Sequence, residues 1–189
     1  QNKQYYGTLD GSNVHSGSCL SSSTGNIAQW YLTKSIDKWG NTILYTYSKP
    51  QGPTTGPTQG GQSIYLSTIN YTGHNQDPGK YSVHFETATA SRVDTRYNLN
   101  FGFKVLDNRS LSRIVVKYNG NEVKSFKLHQ SQAAFFKTKL DSISEMRGNE
   151  VFYTHKMEYF PEPVEKYSAG SKVSLSKYNV NFGTANNIL

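Results

Sequence analysis

A single cysteine, Cys19, is all that this chain offers in thiol chemistry. That excludes an internal disulfide framework and any cysteine-based zinc site. In the polar stretch "HSGSCLSSSTGN" the thiol reads as a bystander rather than a nucleophile. No apolar run is long enough to span a bilayer as a helix. Segments dominated by Ala, Leu, Glu and Lys, the mark of helix-rich chains, are scarce. Catalytic signatures are missing too: there is no HExxH motif, no phosphate-binding glycine loop, and "GQSIY" lacks the closing glycine of a nucleophile elbow.

What is present points to β structure. The 189 residues hold 14 Tyr, 9 Phe and 2 Trp against a hydrophobic fraction of only 35%. Tyr, Thr and Val favour pleated, half-buried surfaces. The length suits one domain with a core of its own. Twenty basic and 13 acidic residues give a net charge of +7, which raises the question of nucleic acid. The lysines are scattered, however, at 34, 38, 104, 117, 124, 127, 137 and 139, and form no dense run. Such spacing fits solvated strand faces and blunted edges, and argues against a nucleic-acid partner. The chain begins with Gln, as expected of a processed product or an excised fragment.

Along the chain, residues 1–29 form a polar, Gly/Ser-rich segment with one short hairpin expected around Asp10-Gly11. A β-rich domain is expected over 30–160, followed by a C-terminal extension over 161–189. "WYLTKSIDKWGNTILYTYS" reads as two alternating strands about a Gly-Asn turn. Residues 49–63, "KPQGPTTGPTQGGQS", carry three Pro and four Gly and read as a long loop. "IYLSTINYT" and "YSVHFETAT" are further strands. A short strand is expected from Phe101 to Val105 and a strong one from Leu111 to Tyr118. "EVKSFKLHQ" and "RGNEVFYTHKMEYF" continue the pattern. "SQAAFFKTKLDSISEM" fits a helical face through Phe135, Phe136, Leu140 and Ile143 about as well as a strand pair. Three Gly-Asn turns, within 39–48, 119–128 and 147–156, echo one another. The fold class is therefore all-β: antiparallel hairpins in a meander, forming a sandwich or a segment of a β shell, with at most one short helix.

Chemistry is harder to find. The five histidines, His15, His74, His84, His129 and His155, show no metal-ligand spacing, and no metal or cofactor is expected. His84 sits at an alternating strand position, where a satisfied ring is the ordinary reading. His74 beside Asp77 is the best loop pair, yet a turn calls for the same residues. Asp37, Asp94 and Asp107 fall at turns or strand ends, where capping local amides is the usual role. The sequons at Asn70 and Asn108 matter only on a eukaryotic secretory route. The expectation is a protein that is not an enzyme.

The order of the strands carries a resemblance. Trp30 to Tyr47, in the pattern W-x-L followed by D-x-x-G-N-x-I-x-Y-x-Y, leads to "YLSTINYTG", "VHFE", "SRVDTRY", "RSLSRIVVKYNGNEVKSFKL" and "KLDSISEM". Over roughly residues 9–155 this resembles the SpvB-type region in the B component of bacterial Tc toxin complexes and of Rhs-associated proteins. Three departures stand out: Ser48 follows the second Tyr where a YD repeat has Asp, Phe126 replaces a Tyr, and "FETATASRVD" lacks an expected acidic pair. The resemblance implies part of a β-rich shell that encloses a toxic polypeptide. The ADP-ribosyltransferase activity linked to the SpvB name belongs to a separate domain whose motif is absent here.

The leading expectation is a secreted or cell-surface structural β domain whose partners are other segments or subunits of a toxin or surface assembly. Its contact surface would draw on Trp39, Tyr45, Tyr47, Tyr65 and Tyr71, with Phe85 adding to a strand face, because aromatic rings give large contact area while Tyr hydroxyls stay wet. The alternative is a free-standing β-sandwich that binds carbohydrate or a host cell surface, in which Trp39 near its turn would be displayed. A third, enzymatic reading rests on His74 and Asp77 alone.

Overall fold

The structure, a computed structural model, describes residues 1–8, 16–52 and 61–160. Most of the Pro/Gly loop, the hairpin expected at Asp10-Gly11, His15 and the 161–189 extension lie outside the described residues. The chain forms β1 (Lys3–Tyr6), β2 (Cys19–Ser21), β3 (Ile27–Trp30), β4 (Leu32–Ile36), β5 (Asn41–Ser48), β6 (Tyr65–His74) and β7 (Tyr81–Thr87). It continues with β8 (Arg96–Asn98), β9 (Val105–Asp107), β10 (Leu111–Tyr118), β11 (Asn121–Gln132), β12 (Thr138–Arg147) and β13 (Glu150–Lys156). The only helical turns among the described residues are two short 3-10 turns. Nine strands make one antiparallel sheet in the order β1-β4-β5-β6-β7-β10-β11-β12-β13, and β2-β3 and β8-β9 form two small ribbons.

Local chemistry explains the meander. At the β10–β11 turn Asn119 (φ 50) and Gly120 (φ 82) both adopt left-handed backbone, and Tyr118 pairs with Asn121. Two positive φ values in a two-residue loop match the right-handed twist of the flanking strands, and Asn-Gly is the pair that tolerates them. The Gly-Asn segments at 40–41 and 148–149 also lie at turns between paired strands, so all three echoes are hairpin connections.

Partners directly opposite in a ladder share a face, so register sorts the side chains. One face carries the rows Tyr45–Ile69–Val83–Val116 and Phe85–Ile114–Phe126, then Leu128–Ile143 and Tyr71–Tyr81–Tyr118. The other carries Thr46–Thr68–His84–Val115–Ser125 and Glu86–Arg113–Lys127–Ser144–Thr154. One side is mainly apolar and aromatic, with the Lys124–Glu145 ion pair lying opposite Val116 and Phe126; the other is built from Ser, Thr, His and paired charges around Val115. Yet Ile69, Val83, Phe85, Ile114, Val116, Phe126, Leu128 and Ile143 are all half-buried and none is enclosed. The buried apolar residues among those described are Cys19, Leu20, Leu106 and Val115, of which only Val115 lies in the large sheet, on its polar side. A sheet ordinarily buries one face against a second layer. Here the apolar face is left partly open.

Three sequence expectations are revised. Residues 1–29 do more than lead in: β1 pairs with β4, so the sheet begins at Lys3 and not at Trp30. Phe101 to Val105 is mostly turn, and the strand there is Val105–Asp107, paired with Arg96–Asn98. The 131–146 segment holds no α-helix: β11 runs to Gln132, a tight turn follows, and β12 pairs with strands on both sides. Ladder bonding to two neighbours outweighs a local period that suited either state.

Candidate assembly surface

Trp39 stands at the β4–β5 turn with 68% of its surface exposed and the Lys38 ammonium 4.2 Å from its ring centre. The turn is held by Asp37, whose carboxylate accepts from the backbone amides of Trp39 (2.8 Å) and Asn41 (2.9 Å) and from the Asn41 side chain (2.6 Å). Partial desolvation opposes ionisation there, but the bonds from Asn41, Trp39 and Gly40 outweigh it and hold the carboxyl below its ordinary value. Asp37 thus serves the turn that displays Trp39.

The tyrosines divide by role. Tyr45 lies on the apolar face opposite Ile69. Tyr47 donates to the Leu32 carbonyl (2.8 Å) and packs its ring 5.2 Å from that of Tyr31, so it ties β5 to its neighbour. Tyr65 anchors the 88–110 excursion: its hydroxyl donates to Asn108 Oδ1 (3.2 Å) and accepts from the amides of Asn108 (2.9 Å) and Arg109 (3.2 Å). Tyr71 stacks on Tyr81 (5.5 Å between centres, 23° between planes), and Tyr81 leans on Tyr118 (4.8 Å, 49°). Rings stacked this way cover one another's faces and present edges and hydroxyls outward. The five candidates do not converge on one patch. Tyr65 opens β6 and Tyr71 lies six residues further along it, while Trp39 is displayed at a turn.

The residues weighed for catalysis have other work. Asp77 accepts from the Gly79 amide (2.9 Å), and its backbone exchanges hydrogen bonds with that of His74, so this pair closes a turn. His84 lies between Thr68 (3.4 Å to Nδ1) and Ser82 (2.9 Å to Nε2); burial and Lys117 push its pKa down while Glu86 pulls it up. The Cys19 thiol is buried, and burial raises its pKa against the pull of Lys49. Asn108 lies in the β9–β10 connection but is only 1% exposed, and Asn70 sits within β6. Among the described residues no three His, Cys, Asp or Glu side chains gather as a metal-ligand set.

One site escaped the sequence reading. Asp94, expected to cap local amides, makes long-range contacts instead. Its carboxylate takes two bonds from Arg92 (2.9 Å each), and also accepts from the amide (2.9 Å) and hydroxyl (2.7 Å) of Thr138, the first residue of β12. Arg92 also reaches Asp107 at 3.4 Å. The Arg92 guanidinium, aided by Thr138 and opposed by desolvation, holds the Asp94 carboxyl far below the usual carboxylate range. This knot fastens the excursion to the large sheet. The Arg-x-Asp spacing was visible in "SRVDTRY"; the Thr138 partner, 44 residues away, was not.

The sheet and its surface define a class: a β meander with one apolar and one polar face, braced by a loop excursion. No protein-family model matches the sequence, and no curated protein sequence matches it. Solved structures share the fold. The N-terminal domain of the effector protein SpvB from Salmonella typhimurium strain LT2 is similar at 16% identity over 69% of this chain, with a TM-score of 0.60. The TcdB2-TccC3-Cdc42 structure is similar at 15% identity over 76% of this chain (TM-score 0.57), and the Photorhabdus luminescens Tc holotoxin pore at 15% over 67% (0.53). The chain spans 55% of the SpvB chain's length and 9% and 8% of the two Tc chains. The fold is thus SpvB-like and Tc-toxin-like.

Proposed function

We propose that this chain is a non-enzymatic structural β domain that contributes a wall segment to a secreted toxin-related shell or surface assembly. The observation that carries the reading is the two-faced sheet, whose apolar rows are half-buried and await a covering layer. Phe85, Ile114 and Phe126 are already about two-thirds or more buried, so completing their burial is worth at most about a third of the full 1.5–3 kcal/mol, roughly 0.5–1 kcal/mol each. Summed over the rows, that favours docking on neighbouring segments. The partners in this reading are other strands or subunits of the same assembly, and the fold it shares with Tc components supports them. Sedimentation of the purified chain with a hydrophobic dye as reporter tests it. Self-association or strong dye binding is expected; a monodisperse monomer that binds no dye counts against the shell.

A second reading, recognition of carbohydrate at a host surface, is favoured by one feature: Trp39 is displayed on a turn rather than packed under a strand. A glycan array with the intact chain and with Trp39→Ala tests it. Hits lost in the variant would support the reading, and no hits at all would remove it.

A further inference from the structure

The β11–β12 hairpin ends in a tip that the apolar face does not explain. The pairs Gln130↔Leu140, Ser131↔Lys139 and Gln132↔Thr138 extend past the start of β10, whose Leu111 carbonyl is met by the Gln130 side chain at 3.0 Å. On the other side the β13 ladder closes at Lys156 opposite Ser142, and the chain beyond follows β12 only as far as the bond from Tyr159 to the Leu140 carbonyl (2.6 Å). At a strand rise of about 3.4 Å per residue, the hairpin projects roughly 10 Å as a finger. The Asp94 knot braces it at Thr138.

At the fingertip, the Ala133 amide closes the loop onto the Lys137 carbonyl (2.7 Å). Between them Phe135 (φ 57, ψ 30) and Phe136 (φ 59) both occupy the left-handed region. L side chains rarely adopt that backbone, and aromatic ones gain nothing from it locally. Their rings are 72% and 68% exposed, so no packing inside the described residues compensates. Strain held at an exposed aromatic pair points to a use outside the molecule. The bracing excursion adds exposed Val93, Tyr97 and Leu99. Across 88–110 and 133–141, basic Arg92, Arg96, Lys104, Arg109, Lys137 and Lys139 outnumber acidic Asp94, Asp107 and Asp141 by three.

We propose that this finger is a contact tip for an anionic bilayer, with Phe135 and Phe136 entering the interfacial region and the exposed Lys137 beside them meeting the headgroups. Exposed apolar rings beside a lysine, on a hairpin and brace that together carry an excess of positive charge, match such a surface in both chemistry and sign. A dry pocket on a protein would take the rings but leave that excess charge without a counterpart. The inference is independent of the shell reading.

Co-sedimentation of the full chain with phosphatidylcholine vesicles, with and without phosphatidylserine, is the test. Binding to the anionic vesicles is expected, falling at least about tenfold without phosphatidylserine or in high salt. The double variant Phe135→Gly, Phe136→Gly should lose binding by about tenfold or more. It should keep or raise its unfolding midpoint, because Gly favours the left-handed backbone. Phe152→Ser, on the distant β13 edge, should bind as the parent does. Failure of the parent chain to sediment with anionic vesicles overturns the proposal, as does a double-Gly variant that still binds fully. Capture of a protein through the two rings without any vesicle binding would assign the finger to a protein pocket and overturn the lipid assignment.

Discussion

Replacing Asp94 by Ala tests the brace that fixes the 88–110 excursion and the finger. The carboxylate is 5% exposed and takes four hydrogen bonds, two from Arg92 and two from Thr138. Hydrogen bonds to a charged group contribute about 1.5–3 kcal/mol each, but bonds that share one carboxylate do not add. Breaking a buried ion pair costs about 3–5 kcal/mol when the surviving charge is stranded. Arg92 is 18% exposed and keeps Asp107 at 3.4 Å, so the lower end applies, about 3 kcal/mol. For a chain of this size that lowers Tm by roughly 6–12 °C. The pH dependence gives an independent check. The folded-state pKa of Asp94 lies below its unfolded value, so the stabilisation is complete above the unfolded pKa of about 3.9 and is lost as pH falls from there toward the folded value. The gap between parent and Asp94→Ala should narrow by about 1.2 kcal/mol between neutral pH and pH 3, at 1.36 kcal/mol per unit below about 3.9. Urea unfolding at the two pH values reads both quantities. A loss under about 1 kcal/mol at neutral pH, or a gap that does not change with acid, would rule out Asp94 as the brace.

Other outcomes follow from single contacts. Tyr65→Phe strands the Asn108 and Arg109 amides and Asn108 Oδ1 beside an amide Nδ2 that is already buried without a partner. Urea unfolding should show a loss of about 3 kcal/mol. Gly120→Ala meets no neighbouring atom, so at φ 82 it should cost only the left-handed penalty, about 1 kcal/mol. Gly79→Ala should cost clearly more, because a Cβ there presses on the Tyr71 carbonyl and on the backbone of Thr72 and Gly73. The reverse order in thermal melts would contradict that geometry. Cys19, buried and with its pKa raised, should resist a thiol reagent in native buffer and react fully in guanidinium. Rapid native labelling would show that the β2–β3 ribbon is not closed over it.

Strands were legible where alternation and turn chemistry agreed. Leu111–Tyr118 matched its sequence pattern end to end, and the Asn119-Gly120 turn announced itself by residue type. β1 was missed because four polar and aromatic residues carry no period of their own; the edge of β4 supplies the pattern. The segment around Phe135 was ambiguous because a strand, a left-handed tip and another strand imitate a 3.6-residue spacing. Of the five aromatic candidates, side-chain type was readable but partner was not. Tyr47 and Tyr65 spend their hydroxyls on backbone and side chains 15 and 43 residues away, which no local rule foretells. The two-faced character was implicit in the strand sequences, but it became visible only when register placed Val83, Val116, Ile114 and Phe126 on one side.

In the proposed assembly the apolar rows are a contact face rather than a closed core. The triple variant Phe85→Thr, Ile114→Thr, Phe126→Thr separates the two, with unfolding free energy and sedimentation measured on the same samples. A contact face predicts a folded variant that is less prone to associate and to bind dye, with a loss of about 1 kcal/mol per site. Unfolding of the variant, with losses of about 3 kcal/mol or more per site as in a closed core, would contradict it.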